Sequence, residues 1–203
     1  MPSVARLWIG VAVLSAVLAV PLALATAKPS ITPTSIAGAK LGLGKVAYVK
    51  LLGRPVRFQA AGGGKLNEPG FQEPQNYARL VFAKRKMDVY FQDGVDKAIE
   101  VTAWNRAYRT AEGVGPCSTF EQLKKAYGRR LKPNPLDNRG QVFSYTVGRS
   151  LLFVFNLDGG VSSFVTQVAL YDGSAPGWNK PNGALPFAAF TAGVDQNDQA
   201  CRR

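Results

Sequence analysis

Gly42 to Gly53 reads GLGKVAYVKLLG, and 75 positions later Cys117 to Gly128 reads CSTFEQLKKAYG. Both segments carry apolar residues at helical spacing, and both stop at glycine, which readily takes the backbone conformation that ends a helix. In the first, Val46, Val49 and Leu52 recur at that spacing, Leu51 widens the stripe, and Pro55 enforces the exit. In the second, Phe120, Leu123 and Tyr127 form the stripe while Lys124 and Lys125 face out. Ser118 and Glu121 stand at capping-box spacing, where each side chain satisfies the other's backbone donor. The first segment has Leu43-Gly44 where a capping Ser or Thr is expected, so its start is predicted to be the less firmly capped.

Alternating sequence follows each helix. After the first, Ala60 to Asn76 is rich in Gly and Pro and reads as a loop. Strands are then predicted over Tyr77 to Phe82, Met87 to Phe91 and Ala98 to Trp104, with Asp93-Gly94 as a hairpin turn. After the second helix a Pro/Asn-rich connector, Lys132 to Asn138, leads to predicted strands near Val142 to Val147, Leu151 to Phe155 and Val161 to Tyr171. Asp158-Gly159 supplies a turn corresponding to Asp93-Gly94. Strands joined this tightly pair antiparallel. The expected fold class is α+β: two tandem helix-plus-antiparallel-strand (αβββ) repeats forming one layered domain, with the helices on one sheet face.

The ends of the chain read differently. Residues 1–27 hold one charge, Arg6, and an apolar run from Leu7 to Ala25, followed by a small-x-small site at Ala25-Thr26-Ala27. That is the pattern of a secretory signal. The rival is a retained anchor, because Leu7 to Ala27 is long enough to span a bilayer. Either places the remainder outside the cytoplasm, secreted or in the cell envelope. Residues 28–34 read as a linker, 35–107 as repeat one, 108–171 as repeat two, and 172–203 as a Pro/Gly-rich tail with Trp178, Phe187 and Phe190 as anchors.

Residue counts exclude several chemistries. The chain has no histidine, which removes Ser/His and Cys/His hydrolases and almost every zinc site. No cofactor and no metal site is expected. Of the two cysteines, Cys117 and Cys201, an even count in an oxidising compartment favours a bridge. Closing so long a loop contributes roughly 4 kcal/mol in the chain-entropy account. The alternative is a reactive thiol at Cys117, which stands at a predicted helix start.

Charge is placed unevenly. Residues 28–149 hold 21 Lys+Arg against 9 Asp+Glu, whereas residues 151–203 hold 3 against 4. The basic residues include Lys40, Lys45, Lys50, Arg54 and Arg57, then Lys84, Arg85 and Lys86, then Lys124, Lys125, Arg129, Arg130 and Lys132. An exported basic domain is attracted to anionic lipid headgroups or acidic envelope polymers, and export makes nucleic acid a poor partner. Lys84, Arg85, Lys86, Lys124, Lys125, Arg129 and Arg130 are the candidate contacts with such a surface. A solvated basic face that keeps the protein soluble is the plainer alternative.

With these segments on the page, the chain resembles the β-lactamase-inhibitory-protein-like fold. That group includes the small lipoprotein of the outer-membrane barrel-assembly machinery and many secreted bacterial domains. The resemblance rests on Gly42 to Gly53, on Gly113-Val114-Gly115-Pro116-Cys117-Ser118-Thr119 running to Tyr127-Gly128, and on the lead-in Tyr108-Arg109-Thr110. It spans roughly residues 35–171. Cys117 stands where the motif usually has Gly. The resemblance implies protein binding through an exposed sheet face and loops.

The expected function is therefore an exported, non-catalytic interaction domain whose partner is another envelope or extracellular protein. Tyr77, Arg79, Tyr90, Trp104, Tyr145 and Arg149 are its candidate contact residues, since aromatics and Arg are favoured at binding hot spots. Adhesion of the basic half to anionic lipid or polymer is the alternative. A carboxylate-dependent hydrolase built on Asp88, Asp93, Asp96 and Glu100 ranks below both, because Asp93 belongs to a turn and Asp88 and Glu100 occupy outward strand positions.

Overall fold

The computed structural model describes residues 30–59, 77–92, 94–134, 144–157, 160–172 and 201. Two short strands, β1 (Ile31–Thr32) and β2 (Ser35–Ile36), form a hairpin ahead of helix α1 (Lys45–Leu52). Strands β3 (Arg57–Gln59), β4 (Tyr77–Phe82), β5 (Met87–Gln92) and β6 (Ala98–Ala103) come next. Helix α2 (Phe120–Tyr127) precedes β7 (Leu131–Pro133), β8 (Ser144–Val147) and β9 (Leu151–Val154). A small hairpin, β10 (Asn156–Leu157) with β11 (Gly160–Val161), leads to β12 (Gln167–Tyr171).

Eight strands make one sheet in the order β3-β4-β5-β6-β12-β9-β8-β7, and every neighbouring pair is antiparallel. The fold is α+β. β6 and β12 meet at the centre, and β3 and β7 are the edges. Two strands lie beyond the sequence expectation. Arg57–Gln59 pairs with β4 between the helix exit at Pro55 and the expected loop, where no element was assigned, and Leu131–Pro133 pairs with β8 and runs into the expected connector. A third difference lies in Val161 to Tyr171, which is not one strand. Its start belongs to the small hairpin, Phe164 bridges to Thr119, and only Gln167–Tyr171 joins the main sheet.

Both helices pack on one sheet face. Tyr48 of α1 meets Phe91 edge-on at 5.7 Å, and Tyr127 of α2 lies 5.6 Å from Phe153. Around them Leu80, Phe82, Met87, Val89, Val101, Ala103, Val168 and Leu170 fill the core. For α2 the expected stripe holds: Leu123 and Tyr127 are buried, Phe120 packs on Tyr145 and Phe155, and Lys124 and Lys125 are exposed. For α1 it does not. Tyr48 and Leu52 face the core, while Val46, Val49 and Leu51 are exposed. The aromatic ring offers more apolar area than either valine, and its hydroxyl donates to the Lys40 carbonyl, so Tyr48 sets the rotation of the helix.

The caps differ from expectation as well. The capping box of α2 is Thr119 with Gln122, one residue beyond Ser118 and Glu121: Gln122 N–H donates to Thr119 Oγ1 at 3.2 Å, and Thr119 N–H donates to Gln122 Oε1 at 2.8 Å. Ser118 Oγ instead accepts from Gly115 N–H. Gly44 gives α1 no side-chain cap, but Asp96, 51 positions away, supplies one: Lys45 N–H donates to Asp96 Oδ1 at 3.0 Å.

The segment read as a linker takes part in the fold, because Ile31 is buried and its N–H donates to the Arg109 carbonyl. Cys117 and Cys201 stand at disulfide distance, with Cα atoms 5.2 Å apart. The N-terminal apolar run, Asp93, Asp158-Gly159 and the tail anchors Trp178, Phe187 and Phe190 lie outside the described residues. Among the described residues no helix is long and apolar enough to cross a membrane.

Candidate functional site

The expected contact face is the side of the sheet opposite the helices, and it is buried. Asp88, Glu100, Thr102, Leu152, Val154 and Ala169 have no exposed surface there, and Tyr90 is only 3% exposed. Strand alternation separates the polar side from the apolar side correctly, but alternation does not say whether a polar side meets water. Here the Asp88 carboxylate is paired with a cation within the face, and Glu100 accepts a hydrogen bond there. Arg79 Nη2 reaches Asp88 Oδ2 at 2.5 Å, its guanidinium lies over the Tyr90 ring at 5.6 Å, and Thr102 Oγ1 donates to Glu100 Oε1 at 2.7 Å. Arg79 and Tyr90 are therefore structural and do not offer a partner-contact surface. Asp88 and Glu100, proposed as outward acids, share this burial.

The other expected contacts do not converge. Tyr145 lies on the helix side, 4.8 Å from Phe120 and 5.8 Å from Phe155. Trp104 is half-buried at the end of β6, Arg149 is exposed in the turn between β8 and β9, and the Tyr77 side chain lies outside the description. The basic candidates also split into two groups. Lys84, Arg85 and Lys86 are exposed at the 3-10 turn between β4 and β5. Lys124, Lys125, Arg129 and Arg130 belong to α2 and the turn that leads into β7. From β5 to β7 is five strand spacings, about 24 Å. Arg130 is also engaged locally, with Glu112 at 3.5 Å and the Tyr127 ring at 5.2 Å.

A different surface is assembled around α1 and β3. Val46 is 81% exposed, Val56 63% and Phe58 56%, and Val49 and Leu51 are exposed beside them. Single exposed apolar residues are ordinary, whereas five on two elements consecutive in the chain, and on the link between them, leave apolar area that binding would cover. Residues 30–59 hold five cations, Lys40, Lys45, Lys50, Arg54 and Arg57, and no acid. Lys45 is held by Asp96 at 3.3 Å and lies over the Phe91 ring at 5.1 Å. Lys50, Arg54 and Arg57 are exposed.

Sheet register carries this patch to the Lys84 turn. Arg57 pairs with Val81, and Val56 N–H donates to the Val81 carbonyl at 2.8 Å, so the chain between α1 and β3 lies beside Phe82 and Ala83. On the other flank, Trp104 N–H donates to the Lys86 carbonyl at 3.0 Å and Asn105 Nδ2 to the Arg85 carbonyl at 3.5 Å. Arg106 follows, exposed. Arg54, Arg57, Lys84, Arg85, Lys86 and Arg106 thus gather at one end of the sheet. Residues 77–87 and 104–111 add no acid. β3 is also an edge strand, and an edge leaves backbone groups open to a partner strand unless something covers it.

Sequence reasoning missed Val56 and Phe58 because the short stretch between Pro55 and the Ala60 loop carries no pattern that assigns it to an element. The acid-free run of residues 30–59 was the available signal. Comparison with protein-family models, with curated proteins and with solved structures returns no match for the chain.

Proposed function

We propose that the protein is an exported, non-catalytic binding module of the cell envelope whose working surface is the outer side of α1 and β3 together with the Ala83–Lys86 turn. One observation carries this reading: exposed Val46, Val49, Leu51, Val56 and Phe58 interleave with Lys50, Arg54 and Arg57 on a stretch without a single carboxylate. Leaving that apolar area in water is unfavourable by about 25 cal/mol per Å², so covering it favours association.

The two-unit plan belongs to the same proposal. Each helix precedes the strands of its own half of the sheet, and the halves meet through β6 and β12. That order supports a tandem repeat of the β-lactamase-inhibitory-protein-like kind, each unit with one strand more than the sequence pattern shows.

The test is retention of the full chain on an envelope extract. The Val56→Ser/Phe58→Ser pair is expected to lower retention several-fold, while Lys124→Gln/Lys125→Gln on α2 leaves it near the parent value. Retention lost equally in both variants, or in neither, removes the assigned surface.

A further inference from the structure

We infer that the partner of this surface is the anionic headgroup layer of a membrane, which the domain meets with the end formed by Arg54–Phe58, Ala83–Lys86 and Trp104–Arg106. The inference rests on the working surface proposed above and names what that surface meets.

Three observations favour lipid. The first is composition. Six cations, Arg54, Arg57, Lys84, Arg85, Lys86 and Arg106, share that end with exposed Val56 and Phe58, and the three segments that carry them hold no Asp or Glu. A surface of one sign is complemented by a partner of the opposite sign. A uniformly cationic end that also exposes apolar side chains suits a layer of phosphates lying over acyl chains.

The second is where the chain enters the fold. Ser30 is the first described residue, and Arg109 N–H donates to its Oγ at 2.8 Å while Ile31 N–H donates to the Arg109 carbonyl at 2.9 Å. Arg109 lies three residues beyond Arg106 and five beyond Trp104, which is bonded to Lys86. The chain that arrives from the apolar run Leu7 to Ala25 therefore joins the domain at Arg109, between the cationic Trp104–Arg106 segment and Pro116, whose carbonyl accepts from Arg109 Nη1 at 3.0 Å. Retention of that run in a bilayer holds this end against the headgroups.

The third is the shape of the contact. β3 is a three-residue edge that begins with Arg57 and ends a cationic stretch, which discourages strand addition by another chain. Phe58 within it and Val56 just before it, both exposed, can still enter a headgroup layer, which needs no backbone register.

Lysine acetylation of the full chain, read residue by residue by mass spectrometry, tests the inference. The chain is bound to vesicles of phosphatidylcholine alone and of phosphatidylcholine with phosphatidylglycerol. Modification of Lys84 and Lys86 is expected to slow about fivefold on the anionic vesicles, the factor equivalent to the ~1 kcal/mol that a cation gains near such a surface. Salt at about 0.5 M is expected to abolish the difference, since it screens charges beyond a few ångströms. Lys124 and Lys125 are expected to react equally on both vesicles.

Equal rates at Lys84 and Lys86 on the two vesicles overturn the inference, as does equal slowing at Lys124 and Lys125. Slowing at Lys84 and Lys86 by a lipid-free envelope protein extract, with none on anionic vesicles, assigns the surface to an acidic protein and also overturns it. In that last case the Val56→Ser/Phe58→Ser effect on envelope retention persists, so the working surface survives the loss of the lipid.

Discussion

The Asp96 carboxylate accepts the Lys45 backbone N–H at 3.0 Å and meets the Lys45 ammonium at 3.3 Å, so one exposed side chain supplies both the cap and the negative charge at the start of α1. The backbone hydrogen bond from Lys45 is the largest influence on Asp96 and, with the Lys45 side chain, holds its pKa below the ordinary carboxylate value of 3.8. A carboxylate with a folded-state pKa below its unfolded value stabilises the fold above that unfolded value, and the contribution is lost as pH falls through the lower folded one. The melting-temperature gap between the parent and Asp96→Ala is therefore expected to be full at pH 6 and to close below about pH 4. A gap that stays constant from pH 7 to pH 2 contradicts this role. Gly44 belongs to the same arrangement: a Cβ there stands 2.7 Å from Asp96 Oδ2 and 3.2 Å from the Asp96 carbonyl oxygen. Gly44→Ser, an improvement by sequence rules for helix caps, is expected to lower the melting temperature because it displaces the cap already present.

Among the elements, α2 was the most legible, since Leu123 and Tyr127 at four-residue spacing, a polar opposite side and a terminal glycine all agree with one helix placement. Its box was displaced by one because Ser118-Thr119 offers two hydroxyls in succession, and the distinction between them lies in tertiary contacts: Ser118 is occupied by Gly115 N–H. α1 was legible as a helix but not in its rotation. Five of its eight residues are Val, Ala or Leu, so apolar spacing alone could not choose among faces, and Tyr48 decided the matter by packing on Phe91. The central strands were legible from alternation, whereas β3 and β7 were hidden by their three-residue length. Pro133 further disguised β7, because proline lacks the N–H that an interior strand must donate; an edge strand tolerates that loss, and β7 is an edge. The candidate site was legible only in its charges. Arg79 and Tyr90 carry the residue types of a binding hot spot, yet the Arg79–Asp88 pair makes them part of a buried face, which local sequence does not record.

For the molecule as a whole, the Cys117–Cys201 pair links a C-terminal residue to the start of α2 across 84 positions. Cys117 sits at φ 68°, a left-handed conformation uncommon outside glycine, and its N–H donates to the Val165 carbonyl at 2.8 Å. Bridging so long a loop restricts the unfolded chain and contributes roughly 4 kcal/mol. Cys201→Ser is accordingly expected to lower unfolding free energy by about that amount, and reduction is expected to have no further effect in the variant. Two free thiols in the unreduced parent protein, detected by intact mass after alkylation, would contradict the pairing.

Placement of the working surface on the α1 and β3 side, away from α2, is the central claim, and hydrogen–deuterium exchange of the full chain with and without isolated envelope membranes tests it most directly. The account predicts slowed exchange at Val56–Phe58 and Ala83–Lys86 on membrane binding, with Phe120–Tyr127 unchanged. Slowing confined to Phe120–Tyr127, or no change at Val56–Phe58 and Ala83–Lys86 in the membrane-bound protein, would contradict it.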